Sequence, residues 1–546
     1  MEPSKASVCE SPLPINGILE DSQVKNSACQ IFDPAASGTF YGILTEGSEE
    51  SAIKETPNAP NFFVDLNLDQ IVDAITIGTE EYNLKPYFYT PLKTLSAIKY
   101  RQEIMRDLEN KQTFDHITTF ARQMRFMREH LSQSSKLHYK YQKESWFLDA
   151  VEIYCNAIRT LAEHLSRADL QSSGLSAFRH YLSDYAGSER FGSLVRETQK
   201  LQTQLASVQY CVLIKGNAIK VRKYESEIDY SADVLEAFAK FKQGAVKSHL
   251  AKFSDWVEMN HIEERILDFV AQLYPEIFSE LDRYCLQNRS YLDERIGIFD
   301  REVQFYISYL EYAQKFKRAG LHFTYPLMAS DDKEVYEHDG FDLALANKLL
   351  SEKASIICND FFLRDKERII VVSGPNQGGK TTFARMFGQL HYLANMGCPV
   401  PGTKAKLLLF DKLFTHFEKE ENIANLRGKL EDDLVRIHNI INQMTSRSIV
   451  IMNESFTSTT LQDAIFLSEQ VMRRIVEADL LCVCVTFLDE LALFAETVVS
   501  MVSTVVPDNP ASRTFKIIRK RADGLAYAIS IAEKYRLTYD CLLGRL

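Results

Sequence analysis

The sequence predicts a mixed fold, a long-helix domain followed by an α/β nucleotide-binding domain, on three observations. The first is Gly374-Pro375-Asn376-Gln377-Gly378-Gly379-Lys380-Thr381-Thr382, which fits the phosphate-loop pattern of Gly, four residues, then Gly-Lys-Ser/Thr. The second is the alternation of apolar strand-like runs and helical segments around it. The third is the stretch between Pro91 and Pro275, which holds no proline and little glycine and so permits long helices.

The chain of 546 residues is long enough for several domains. Hydrophobic content of 45% with 25% charged residues is the balance of a soluble globular protein. A net charge of −11 argues against a protein basic all over, but leaves room for a local basic face. The ten cysteines include no Cys-x-x-Cys pair, and Cys482 and Cys484 lie in an apolar run as expected buried strand residues. Reduced thiols and a cytoplasmic location are expected. No run approaches a membrane span, and the N-terminus lacks signal-peptide character, so no membrane partner is expected.

Residues 1–60 are rich in Ser, Pro, Gly, Glu and Asn and read as a flexible extension or docking arm, with Phe40-Tyr41-Gly42-Ile43-Leu44 its one apolar island. Residues 61–340 read as a helical domain. Ile296, Phe299, Val303, Tyr306, Leu310 and Ala313 step by three and four before Gly320. A small hairpin near 208–228 interrupts the helices, with strand-like alternation either side of Gly216-Asn217. It concentrates Lys215, Lys220, Arg222 and Lys223, which are candidate contacts to DNA phosphates or else lysines guarding a sheet edge. Arg122, Arg125, Arg128, Lys136, Lys140 and Lys143 read as a solvated helix face. Residues 341–546 read as the α/β domain. Its elements are a strand at 368–373, a helix after the loop, a strand at 406–410, a helix at 430–444, a strand at 448–454, a further helix, a strand at 480–487 and a last strand near 514–518.

The chemistry follows from the loop and the strand ends. The glycines let backbone N–H groups close around phosphate oxygens at a helix N-terminus, so Gly374 to Thr382 would bind ATP. Lys380 would reach the β- and γ-phosphates, and the Thr381 hydroxyl would ligate Mg²⁺. Ligands in such sheets bind at the carboxyl ends of the strands, where Asn453-Glu454 also falls. Glu454 can act as the base toward water, and Asn453 can hydrogen-bond a metal-bound water but brings no charge.

On these residues the chain resembles the MutS family of DNA mismatch-repair ATPases. The loop with its Pro-Asn pair looks like that family's loop, and Asn359-Asp360 sits where the family has an Asn-Asp, which implicates Asn359 in nucleotide binding. Gly397 with Val400-Pro401, Phe414-Thr415, and Thr486 with Glu490-Leu491 resemble further family segments, and Asn453-Glu454 aligns with its Asp-Glu. The resemblance implies an ABC-like ATPase domain, a helical core and lever domain in 61–340, the hairpin in place of a clamp, and a homodimer with ATPase domains face to face. It departs from the family at Asn453 in place of Asp, at Phe487 in place of a switch His, and at Gly428-Lys429-Leu430-Glu431-Asp432-Asp433 in place of a Ser/Thr-rich loop. A short member without the mismatch-reading or nuclease domain is the expectation. The function implied is an ATP-dependent, Mg²⁺-requiring DNA-binding protein, with weak hydrolysis given Asn453 and Phe487, that binds double-stranded or branched DNA. The alternative is a nucleotide switch or scaffold acting on protein partners with little hydrolysis.

Overall fold

The proline-free stretch folds into long helices whose ends are set by their caps. In the computed structural model, which describes residues 40–46, 56–216, 218–226, 259–418, 428–506 and 509–522, helices Lys111–Lys136 and Lys140–Arg167 lie packed along one another. The Asn110 side chain accepts from Gln112 N and Thr113 N, which satisfies two of the four N–H groups left over at a helix start. Asn260 and Glu263 form a reciprocal capping box at His261–Leu273. Helix Glu294–Arg318 runs through the core. The six residues expected on its apolar stripe are all buried, and Gly320 follows at φ 85. The hairpin pairs Tyr210–Lys215 with Ala218–Lys223 through Gly216 at φ 60, while Asn217 and the expected end at 227–228 lie outside the described residues.

The apolar island of the N-terminal segment is docked into this helical wall. Phe40, Ile43 and Leu44 are buried. Phe40 packs 5.1 Å from the Phe178 ring. Ile43 N and Leu44 N donate to Glu302 Oε2 at 2.5 and 3.2 Å, and Tyr306 donates its hydroxyl to Ile43 O. Arg101, fully buried, donates from Nε to Leu44 O at 2.9 Å and from Nη1 to Met396 O at 3.0 Å. One side chain thus ties the island to the end of the helix that starts at the glycine loop.

The α/β part is built on a six-stranded sheet. Its strands run Leu413–Phe417, Ile449–Asn453, Leu481–Val485, Ile369–Ser373, Val498–Val506 and Asn509–Arg519 in spatial order. The first five are parallel and the last antiparallel. Strands 449–453 and 481–485 are almost wholly buried, which is why they read as unbroken apolar runs. Cys482 and Cys484 are buried there as expected.

Several strands lie beyond the sequence expectation, among them the edge strand Leu413–Phe417 of this sheet. Val498–Val506 inserts beside the loop strand with only a short 3-10 helix, Asp489–Leu493, before it, so it breaks the alternation with α-helices. A second, four-stranded sheet orders Leu327–Ala329, Lys404–Leu408, Val335–Gly340 and Asn359–Leu363, and so draws strands from ahead of residue 341.

Helix Lys380–Asn395 carries the loop and is buried along nearly its whole length. Its partners come from both parts of the chain. Tyr392 donates to Phe88 O at 2.7 Å, Gln389 Nε2 donates to Leu66 O at 2.9 Å, and Arg385 Nε donates to Asp65 O at 2.9 Å. A Cβ on Gly388 would lie 2.7 Å from the Cδ1 methyls of Ile451 and Leu66, so glycine there lets both side chains pack onto the helix backbone. No helix among the described residues is long and apolar enough to cross a membrane.

Candidate functional site

The loop sits where strand Ile369–Ser373 ends and helix Lys380–Asn395 begins. Gly374 has φ 111 and Gly379 φ 91, conformations that favour glycine, and Gln377 shares the left-handed region at φ 60. Gly378 is required for a different reason: its Cβ would lie 1.9 Å from Ser503 Oγ and 2.9 Å from Pro375 O. The loop is therefore pressed against strand Val498–Val506, and Ser503 Oγ beneath it is buried without a hydrogen bond.

Lys380 is 5% exposed and its ammonium is wrapped by the loop. Nζ donates to Gly374 O at 2.9 Å, to Pro375 O at 3.2 Å and to Asn376 Oδ1 at 3.2 Å. Burial pushes its pKa down, the Glu454 charge opposes that, and Arg513 adds to it. Arg513 Nε also donates to Asn376 O at 3.2 Å, which closes the outer side of the loop. Thr382 follows in the first helical turn, half-buried.

Thr381 and Asn453 meet. Thr381 Oγ1 donates to Asn453 Oδ1 at 2.8 Å, across the intervening strand Leu481–Val485. Two neutral hard oxygens suit Mg²⁺. Among the described residues no group of three or more His, Cys, Asp or Glu could hold a metal. Glu454 follows in a turn at φ 50, its N–H donating to Val485 O at 2.9 Å. Lys380, Thr381, Asn453 and Glu454 are thus gathered at one end of the sheet.

Asn359 stands one step back. Its Nδ2 donates to Phe515 O at 3.2 Å, and its Oδ1 accepts from Ile517 N at 2.7 Å, so both ends of the amide clamp the last strand. That clamp holds Phe515, a residue outside every motif of the sequence. Phe515 has φ 58, an outlier for a bulky residue, and is 48% exposed. A Cβ on Gly379 would lie 3.8 Å from its Cβ. Its ring is only half covered although the backbone that carries it is strained. No local sequence signal marks it, because the strain arises where the register of the last two strands shifts. Phe487 is 51% exposed, and the neighbouring Thr486 Oγ1 accepts from Leu488 N at 3.0 Å.

The hairpin cations do not act as one group. Pairing places Lys215, Lys220 and Arg222 on one face with Leu213 and Ala218. Lys223 lies on the other face, with Nζ 4.8 Å from the centre of the Tyr274 ring. In the longer basic stretch, Arg125 binds Glu81 at 2.9 Å and Gly78 O at 2.7 Å, Arg128 pairs with Asp300, and Lys140 pairs with Asp282. Those three charges are neutralised within the chain. Gly428 precedes helix Lys429–Gln443, and Lys429 pairs with Glu418.

Residues 370–540 match the family model described as MutS domain V. The DNA mismatch repair protein MutS of Orientia tsutsugamushi (strain Boryong) is 30% identical over 196 residues, covering 35% of this chain and 22% of that protein. That of Chlamydia muridarum is 24% identical over 258 residues, 46% of this chain and 30% of the relative. That of Thermotoga maritima is 23% identical over 212 residues, 38% and 27% respectively. The match therefore spans less than a third of the length of these relatives.

Proposed function

We propose, from the premise that this chain is a divergent member of the MutS family, that it binds and hydrolyses ATP and couples the nucleotide to DNA binding by its helical part. The observation that carries the proposal is the Thr381–Asn453 hydrogen bond of 2.8 Å, which joins the loop to the strand end that bears Glu454. The names of the relatives, DNA mismatch repair proteins, support DNA as the partner.

In this reading Gly374, Asn376, Gln377, Gly378 and Gly379 cradle the phosphates with backbone N–H groups, and Pro375, which has none, fixes the bend of the loop. Lys380 leaves the loop carbonyls and binds the β- and γ-phosphates, and the phosphate charge repays its burial. Thr381 and Asn453 would hold Mg²⁺, which supplies charge neutralisation on the phosphates. Glu454 orients and deprotonates water. The Phe515 ring stacks on the base, and Asn359 keeps Phe515 in place. Lys215, Lys220 and Arg222 contact DNA phosphates, and two copies place their ATPase faces together, with Gly428 and Lys429 at the contact.

A second reading is a nucleotide switch with little hydrolysis that acts on protein partners. Asn453 and Phe487 favour it, since Asn453 brings no charge to the metal and Phe487 no hydrogen bond to the phosphates. Two measurements decide. Lys380→Ala should abolish ATP turnover, and turnover equal to wild type would remove the site assignment. An anisotropy panel of linear, mismatched and branched DNA, with and without ATP, should show salt-dependent binding that responds to ATP. Binding of none of these DNAs would leave the switch reading.

A further inference from the structure

The turn that bears Glu454 holds two strained residues, Glu454 at φ 50 and Phe456 at φ 61. Non-glycine residues persist there only when their surroundings over-determine them. Between them Ser455 reaches back to the edge strand, with its Oγ 2.9 Å from His416 Nδ1. His416 has no exposed surface. Its Nε2 lies 3.4 Å from Asp433 Oδ1, near enough for an ion pair but without hydrogen-bond geometry. Asp433 is 5% exposed and belongs to helix Lys429–Gln443. It also faces Arg436 at 3.5 Å, and Arg436 donates to Phe417 O at 2.9 Å. The Phe456 ring centre is 6.3 Å from that of His416.

The residue types are those of a nucleophilic triad, but a fully buried His416 has no face on which a substrate could react. The chain Asp433, His416, Ser455 does fit a brace. The Asp433 carboxylate favours the tautomer with its proton on Nε2, so Nδ1 accepts the Ser455 hydroxyl. We infer that His416 is a positioning residue: through Ser455 it fixes the turn that aims the Glu454 carboxylate, and through Asp433 it ties that turn to helix Lys429–Gln443. The inference rests on the ATPase reading above for its kinetic consequence, but not for the brace itself.

The test uses the full chain and four variants: His416→Phe, Ser455→Ala, the two combined, and His416→Asn. Asn keeps a polar atom where Nδ1 sits and loses the one facing Asp433. In nucleotide-free protein, hydrogen exchange at 454–457 should be about tenfold faster or more in His416→Phe and Ser455→Ala. ATP turnover should fall about ten- to a hundredfold, as for a misplaced catalytic group, with KM changed less than about twofold. The double variant should be no slower than the worse single one, and His416→Asn should recover most of the loss. Unchanged exchange would overturn the brace whatever the ATPase does. So would multiplying losses in the double variant, or a His416→Asn as slow as His416→Phe. If His416→Phe does not fold, Ser455→Ala alone decides, since its side chain is only half-buried. Turnover that survives Lys380→Ala while exchange responds would instead sink the ATPase reading and leave the brace standing.

Discussion

Replacing Phe515 separates backbone strain from nucleotide contact. At φ 58 an L residue with a Cβ pays steric strain that glycine avoids. Phe515→Ala removes the ring and keeps the strain, whereas Phe515→Gly removes both. Both lose the same half-buried ring, so the difference between them isolates the backbone. Glycine should be more stable than alanine there by about 1 kcal/mol, the reverse of the usual order in a strand, where glycine is about 0.5–1 kcal/mol worse. Denaturant midpoints of the two variants measure this directly. The ring itself should contribute about 1–3 kcal/mol to base stacking, so both variants should bind ATP about 5- to 150-fold more weakly. Affinity for inorganic triphosphate, which has no base, should not change. An alanine variant as stable as the glycine one would refute the strain argument. Equal weakening toward ATP and triphosphate would refute the stacking platform.

Asn453→Asp places a carboxylate 2.8 Å from the Thr381 hydroxyl and should steepen the Mg²⁺ dependence of ATP turnover or raise its rate; no change in either quantity counts against Asn453 facing the metal. Changing Lys215, Lys220 and Arg222 together to Ala should lower the slope of log affinity against log salt for duplex DNA by about three units, while Lys223→Ala, whose ammonium lies over Tyr274, should leave it nearly unchanged. Burial raises the Glu302 carboxyl to about 7, and the Ile43 and Leu44 amides oppose this. A raised acid stabilises the fold below its unfolded value and loses that contribution as pH rises through its folded value. The thermal midpoint should therefore fall between about pH 4.5 and 7 more in the wild type than in Glu302→Gln, and parallel pH curves would contradict it.

The loop and the strand end were legible because their signals are local. A strand, a glycine turn and a helix start are contiguous from Arg368 to Leu390, and Asn453-Glu454 closes an apolar run. The stripe on helix Glu294–Arg318 was legible for the same reason, since burial on one face writes a period into the sequence. The docking of Phe40–Leu44 was not, because its pocket is assembled from Arg101, Phe178, Glu302 and Tyr306, far apart in the chain. Nor could sequence separate Lys223 from its three neighbours, since strand register decides which face each takes. The partners of Arg125, Arg128 and Lys140 are likewise set by packing. Phe515 is the clearest case: its importance lies in a dihedral angle, and a phenylalanine in a strand is otherwise ordinary.

Burial of helix Lys380–Asn395 also has a consequence for how the chain is made. The surfaces that receive it, around Asp65, Leu66, Phe88 and Arg101, leave the ribosome well before it does. At about 5–20 residues per second, the interval from residue 101 to residue 396 is roughly 15–60 s. Throughout that time the early helices lack the helix that covers these residues in the finished fold. Apolar surface left uncovered for that long is the kind that promotes aggregation and that chaperones bind.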